Sequence, residues 1–125
     1  MSKTKIMAAG DEPAVLRYLR QELTGEGDKV DTIDNTDDVL RMVKEERYGL
    51  ILVDIKMPGM DGVELYKRIK KIAEPLARKV VFITGDIMGA DTEKFLSGTK
   101  VAHIDKPFNA EQLSREVQRA LTAGR

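Results

Sequence analysis

Short unbroken apolar runs alternate along this chain with longer segments whose apolar positions recur at helical spacing. Leu50 to Val53 and Val80 to Ile83 are continuous apolar stretches, the pattern of strands covered on both faces of a sheet. Lys5 to Ala9, Lys29 to Ile33 and Val101 to Ile104 are shorter or more mixed and predict three further strands. Val15, Leu16, Leu19 and Leu23 share one helical face, Pro13 suits a first turn, and Gly25 and Gly27 end the segment. Thr36 is placed to cap a second helix carrying Val39, Leu40 and Val43. Pro58, Gly59 and Gly62 mark a loop, after which Val63, Leu65, Tyr66, Ile69 and Ile72 repeat at helical spacing. Asp91 to Leu96 leaves room for only a short fourth helix, within a Gly-rich segment of low apolar content from Gly85 to Thr99. Asn109 opens a last helix with Gln112 as its capping-box partner and Leu113, Val117 and Leu121 as its buried stripe.

Five strands alternating with five helices predict an α/β fold: a doubly wound parallel sheet with helices on both faces. The 125 residues suit one domain, and no repeat or Pro/Gly/Ser linker divides residues 1–125. Lys plus Arg and Asp plus Glu both number 21, a balance that argues against a nucleic-acid binder. Lys67, Arg68, Lys70 and Lys71 read as a solvated helix face. Without cysteine there is neither a disulfide framework nor a thiolate metal site, and a single histidine, His103, excludes a multi-His centre. The first ten residues lack an apolar core of the kind signal peptides carry, and no run is long enough to span a bilayer. The expected location is the cytoplasm, with no membrane or nucleic-acid partner.

In such sheets, functional groups gather beyond the carboxyl ends of the strands. Asp11 and Glu12 follow strand one, Asp54 ends strand three, Thr84 ends strand four with Gly85 and Asp86 after it, and strand five leads into Asp105, Lys106 and Pro107. In a sheet ordered 2-1-3-4-5 these residues face one crevice. Carboxylates brought together repel each other, and a hard divalent cation such as Mg²⁺ relieves the repulsion through oxygen ligands. Such a cation and Lys106 can hold a phosphoryl group while an Asp oxygen attacks phosphorus, with the Thr84 hydroxyl donating to an equatorial oxygen. Each residue also has a plainer reading: Asp11 as a helix cap, Thr84 as a β-branched strand residue, Lys106 as a solvated lysine. Their joint placement at one end of the sheet favours the chemical reading.

Asp54-Ile55-Lys56-Met57-Pro58-Gly59-Met60-Asp61-Gly62, Val80 to Gly85 and Asp105-Lys106-Pro107-Phe108 resemble the signatures of receiver domains of two-component signalling, over about Lys5 to Leu121. The resemblance implies a flavodoxin-like fold and a phosphoacceptor switch rather than an enzyme. Asp54 would accept a phosphoryl group from a histidine kinase or a phosphotransfer protein. Asp11, the Asp54 carboxylate and the backbone carbonyl of Lys56 would bind Mg²⁺, Thr84 would swing toward the phosphoryl group, and Lys106 would pair with it. It also implies a cis Lys106–Pro107 bond. His103 falls where the family often carries a rotating Tyr or Phe. The short helix four resembles receivers of hybrid histidine kinases, which implies a linked kinase or output domain.

Receivers usually carry two adjacent acids after strand one, and here the first is Gly10. One carboxylate fewer lowers the expected Mg²⁺ affinity. It also leaves open an alternative, a receiver-like interaction module that is not phosphorylated. Lys56 and Asp86 are expected at the pocket rim as an ion pair that slows hydrolysis of the acyl phosphate. A haloacid-dehalogenase-like phosphatase would need an acid where Lys56 stands, and no Gly-rich phosphate loop follows strand one to support a nucleotide binder.

Overall fold

The computed structural model describes residues 5–10, 12–25, 29–45, 48–54, 56–57, 60–84, 94, 102–105 and 109–122. Within them β1 (Lys5–Ala9), β2 (Lys29–Ile33), β3 (Leu50–Asp54), β6 (Val80–Thr84) and β7 (Ala102–Asp105) form one sheet. Their order is β2-β1-β3-β6-β7 and every pairing is parallel. Counting these five strands along the chain, this is the expected 2-1-3-4-5 arrangement. The helices are α1 (Pro13–Gly25), α2 (Thr36–Glu45), α3 (Gly62–Ile72), the single turn α4 (Glu74–Ala77) and α5 (Ala110–Thr122). The short helix expected between Gly85 and Thr99 lies outside the described residues, apart from the exposed Lys94.

Alternation along the strands splits the core into two layers. Met7, Ile51, Val53 and Phe82 pack with Val39, Val43, Leu65 and Ile69 from α2 and α3. Ile6, Ala8, Leu50, Leu52, Val81 and Ile83 pack with Leu19 and Leu23 from α1 and Leu113 and Val117 from α5. Every residue of β3 is buried, as expected for a central strand with helices on both faces. Ile72, assigned to the apolar stripe from its spacing, is instead 38% exposed. It is the last residue of α3, immediately before the chain turns into α4.

The capping box of α5 forms as the sequence implies: Asn109 Oδ1 accepts from the Gln112 N–H at 2.8 Å and Gln112 Oε1 from the Asn109 N–H at 3.0 Å. For α2 the cap is Asn35 and not Thr36. Asn35 Oδ1 accepts from the Asp38 N–H and its Nδ2 donates to Asp38 Oδ2, both at 2.8 Å. Thr36 is the first helical residue and is buried. The amide at the cap uses separate atoms for the two bonds, its oxygen for the N–H and its nitrogen for the carboxylate of the third residue.

Besides the single turn α4, two features had no signal in the pattern. Lys56–Met57 (β4) and Met60–Asp61 (β5) pair antiparallel as a small hairpin between β3 and α3. The half-buried Lys79 donates from Nζ to the carbonyls of Ala120, at 3.1 Å, and Leu121, at 2.7 Å. These acceptors belong to the last turn of α5, where carbonyls lack intrahelical donors and the macrodipole favours a cation. The same residue's N–H binds Leu76 O and its carbonyl receives the Ile51 N–H, so the turn before β6 is tied to β3, α4 and α5.

Replacing Lys79 with Met keeps the stem and removes both charged hydrogen bonds. The expected loss is about 1–3 kcal/mol, read as a melting temperature lower by several degrees. The Asn35 amide, and after it Arg41, hold the Asp38 carboxyl below its ordinary value. Stability from a carboxyl shifted this way is present above its unfolded pKa and is lost as pH falls through the folded one. Asn35→Ala is expected to return the Asp38 midpoint toward the ordinary value, followed by carboxyl NMR.

Candidate functional site

Parallel pairing sets the strand ends level. Ala9 is in register with Val53, Asp54 with Ile83, and Thr84 with Asp105. Gly10, Asp54, Thr84 and Asp105 therefore stand at one end of the sheet, the carboxyl end. Asp54 closes the central strand and is 6% exposed, the only carboxylate among the described residues buried to that degree. An ionised carboxylate in such a position is stable only with compensating charge or hydrogen bonds, and no buried side-chain polar atom among the described residues lacks a hydrogen-bond partner.

Gly10 gives the site its shape on the β1 side. Its N–H donates to Ile33 O at 3.0 Å, which fixes the main chain as β1 ends. A Cβ built at Gly10 would lie 3.1 Å from Asp54 Cβ, 3.8 Å from Asp54 Oδ2 and 3.6 Å from Leu16 Cδ2. Position 10 thus points at the Asp54 side chain. Strand alternation agrees, because Ala8 and Ile6, two and four residues back, face the α1 and α5 layer as Leu50 and Leu52 do. Leu16, legible in the sequence only as part of a helical stripe, is the wall α1 contributes. Beyond it a groove of about 310 Å³ runs between Pro13, Leu16, Arg17, Arg20, Thr32 and Asp34.

Beyond Asp54 the main chain of Lys56 enters β4, whose register with β5 sets Lys56 against Asp61 and Met57 against Met60. The hairpin fixes the path of the chain two residues past the carboxylate. His103 lies on β7 opposite Phe82 and is exposed. Phe82 itself is fully buried and meets Tyr66 of α3 with ring centroids 6.0 Å apart. Asp11, Lys106, Pro107 and Asp86 lie outside the described residues, as do the side chains of Thr84 and Lys56 and hence the Lys56–Asp86 pair.

The donors that the described residues bring to this end are oxygens: the Asp54 carboxylate and the main chain around Lys56. Hard oxygen donors suit Mg²⁺ or Ca²⁺ and not a thiophilic ion. No group of three or more His, Asp or Glu side chains suited to a metal is assembled among the described residues. No helix among them is long and apolar enough to cross a membrane.

The model of one protein family, described as the response regulator receiver domain, matches residues 6–118. Among curated relatives, the response regulator receiver protein CpdR of Brucella abortus is 33% identical over 119 residues, covering 95% of this chain and 98% of CpdR. The transcriptional regulatory protein ResD of Bacillus subtilis is 32% identical over 121 residues; the match takes in 96% of this chain but 49% of ResD, so the chain spans about half the length of that relative. Among solved structures, a CheY-like receiver domain protein from Methanospirillum hungatei superposes with a TM-score of 0.87 at 28% identity, covering 96% of this chain and 94% of the other. The receiver domain of sensor histidine kinase PA1611 from Pseudomonas aeruginosa, solved with magnesium in its active site cleft, gives 0.84 at 22% identity over 98% and 100% of the two chains.

A carboxylate buried at a strand end costs the fold more than a neutral amide of the same shape. Asp54→Asn, which removes the charge and keeps the shape, is expected to stabilise the metal-free protein by about 0.5–2 kcal/mol. Urea denaturation without divalent cation measures it, and a lower midpoint with unchanged slope contradicts it.

Proposed function

The chain belongs to the response regulator receiver domain family, whose members are phosphoacceptor switches of two-component signalling and not classical enzymes, and on that premise we propose that Asp54 is the acceptor. The donor is a histidine kinase or a phosphotransfer protein. The observation that carries this reading is the nearly buried Asp54 carboxylate at the carboxyl end of the central strand, in register with Ile83, the residue before Thr84. An Asp54 oxygen attacks phosphorus, the bond from phosphorus to the donor's histidine nitrogen breaks, and an acyl phosphate forms on Asp54 while the donor imidazole is released.

Mg²⁺ fits the oxygen donors, and Asp11, the Asp54 carboxylate and the Lys56 backbone carbonyl would hold it. When bound it neutralises charge on the phosphoryl oxygens. Thr84 donates its hydroxyl to one of those oxygens and Lys106 pairs with another. Lys56 and Asp86 stand at the rim and limit water access to the acyl phosphate. His103, exposed on the edge strand, changes position when Thr84, at the end of the neighbouring strand, moves. Residues 1–125 act as one receiver domain in the cytoplasm, and a linked kinase or output domain carries the signal onward. The length of ResD outside the match supports that last reading.

Incubation with acetyl phosphate and Mg²⁺ is expected to add one phosphoryl group by intact mass, and none to Asp54→Asn. No gain in the unaltered protein, together with no Mg²⁺-dependent beryllofluoride binding, overturns the acceptor reading in favour of an unphosphorylated interaction module.

A further inference from the structure

We propose that the groove between α1 and β2 is a binding site, separate from Asp54, for a small phosphate monoester that carries hydroxyl groups, the chemistry shared by sugar phosphates and mononucleotides. Pro13, Leu16, Arg17 and Arg20 stand at the spacing that puts residues on one face of a helix. That face, with Thr32 and Asp34, lines a groove of about 310 Å³. Further along the same two elements the seam is closed by apolar packing, since Leu19, Leu23 and Val30 belong to one buried cluster. Thr32 lies two residues beyond Val30 and so shares its face of β2. At that point the apolar seam gives way to a hydroxyl and two guanidinium groups.

The charge pattern of these arginines differs from that of other arginines on the helices. Arg41, Arg78, Arg115 and Arg119 each pair with an acid three or four residues away. Arg17 and Arg20 have no acid at those spacings, only each other, and like charges on one helix face repel. Neither guanidinium forms an ion pair among the described residues. Two such planar donor forks suit a phosphate dianion, which removes their repulsion. Asp34, whose Oδ1 accepts from Asn35 Nδ2 at 3.1 Å, has acceptor capacity left for a ligand hydroxyl, as does Thr32. A bare phosphate would meet only repulsion from Asp34, so the lining favours an ester with hydroxyl groups. Pro13 and Leu16 supply an apolar wall for its carbon skeleton. The volume is at the small end of the about 300–1,000 Å³ usual for ligand sites, which suits one sugar phosphate or mononucleotide. Leu16 Cδ2 would lie 3.6 Å from a Cβ at Gly10, so this side chain stands between the groove and the acceptor end of the sheet.

The test is an amide NMR titration of the whole chain, free of divalent cation, with ribose 5-phosphate, adenosine monophosphate and inorganic phosphate. Ribose 5-phosphate is expected to saturate with a Kd of about 0.1–1 mM, in keeping with a few charge-assisted bonds in an open groove. The amides it shifts are expected to lie in residues 14–20 and 32–34. Arg17→Gln and Arg20→Gln, both at exposed positions, are each expected to weaken binding about tenfold. Asp34→Ala is expected to abolish the preference for ribose 5-phosphate over inorganic phosphate. Equal affinity for the two esters supports the proposal and assigns the groove to sugar phosphates; tighter binding of adenosine monophosphate supports it and assigns mononucleotides. Absence of a saturable shift with either ester overturns it, as does binding left unchanged in both arginine variants. Shifts that gather around Asp54 in place of the groove also overturn it. So does inorganic phosphate binding as tightly as the esters, because charge alone would then be recognised.

Discussion

Burial of β3 on both faces is the constraint from which the rest of this architecture follows. A parallel strand that touches helices above and below has no solvent side on which to carry polar groups. Leu50 to Val53 answer that demand with four apolar side chains, and the first polar group the strand can hold is at its end, where Asp54 sits. Because every neighbour runs in the same direction, the same logic places Gly10, Thr84 and Asp105 beside it. The acidic end of the sheet is thus a consequence of its direction.

The site trades comfort for availability. Ala8, Ala9 and Gly10 make the end of β1 slim, and a Cβ at position 10 would come within 3.1 Å of the Asp54 Cβ. Past Asp54, β4 begins after one intervening residue and pairs with β5.

Much of this was legible in the residues, for identifiable reasons. Continuous apolar runs name buried parallel strands, and Asn109 with Gln112 names a helix start, because both signals are local. Asp54 was legible because it stands where an apolar run stops. Asn35 and Thr36 are both good caps by type, and only the backbone decides between them. The hairpin was invisible because two-residue strands leave no periodicity, and α4 because one turn is shorter than any helical repeat. Lys79 reads as one more surface lysine; its acceptors lie 41 and 42 residues away in sequence. Gly10 was legible as a missing acid but not as a contact, since its distance to Asp54 exists only once β1 and β3 are aligned.

The outer strand β2 borders the sheet with one rim unpaired by β1. It is five residues long, and Lys29 and Asp31 alternate along it with Val30 between them. Asp31 is anchored by the Tyr48 hydroxyl at 2.7 Å and lies 3.8 Å from Lys5 Nζ. An incoming strand would have to desolvate these charges to hydrogen-bond there. That rim therefore resists templated stacking of one chain on another, and recognition on this side of the molecule is left to helix surfaces and loops.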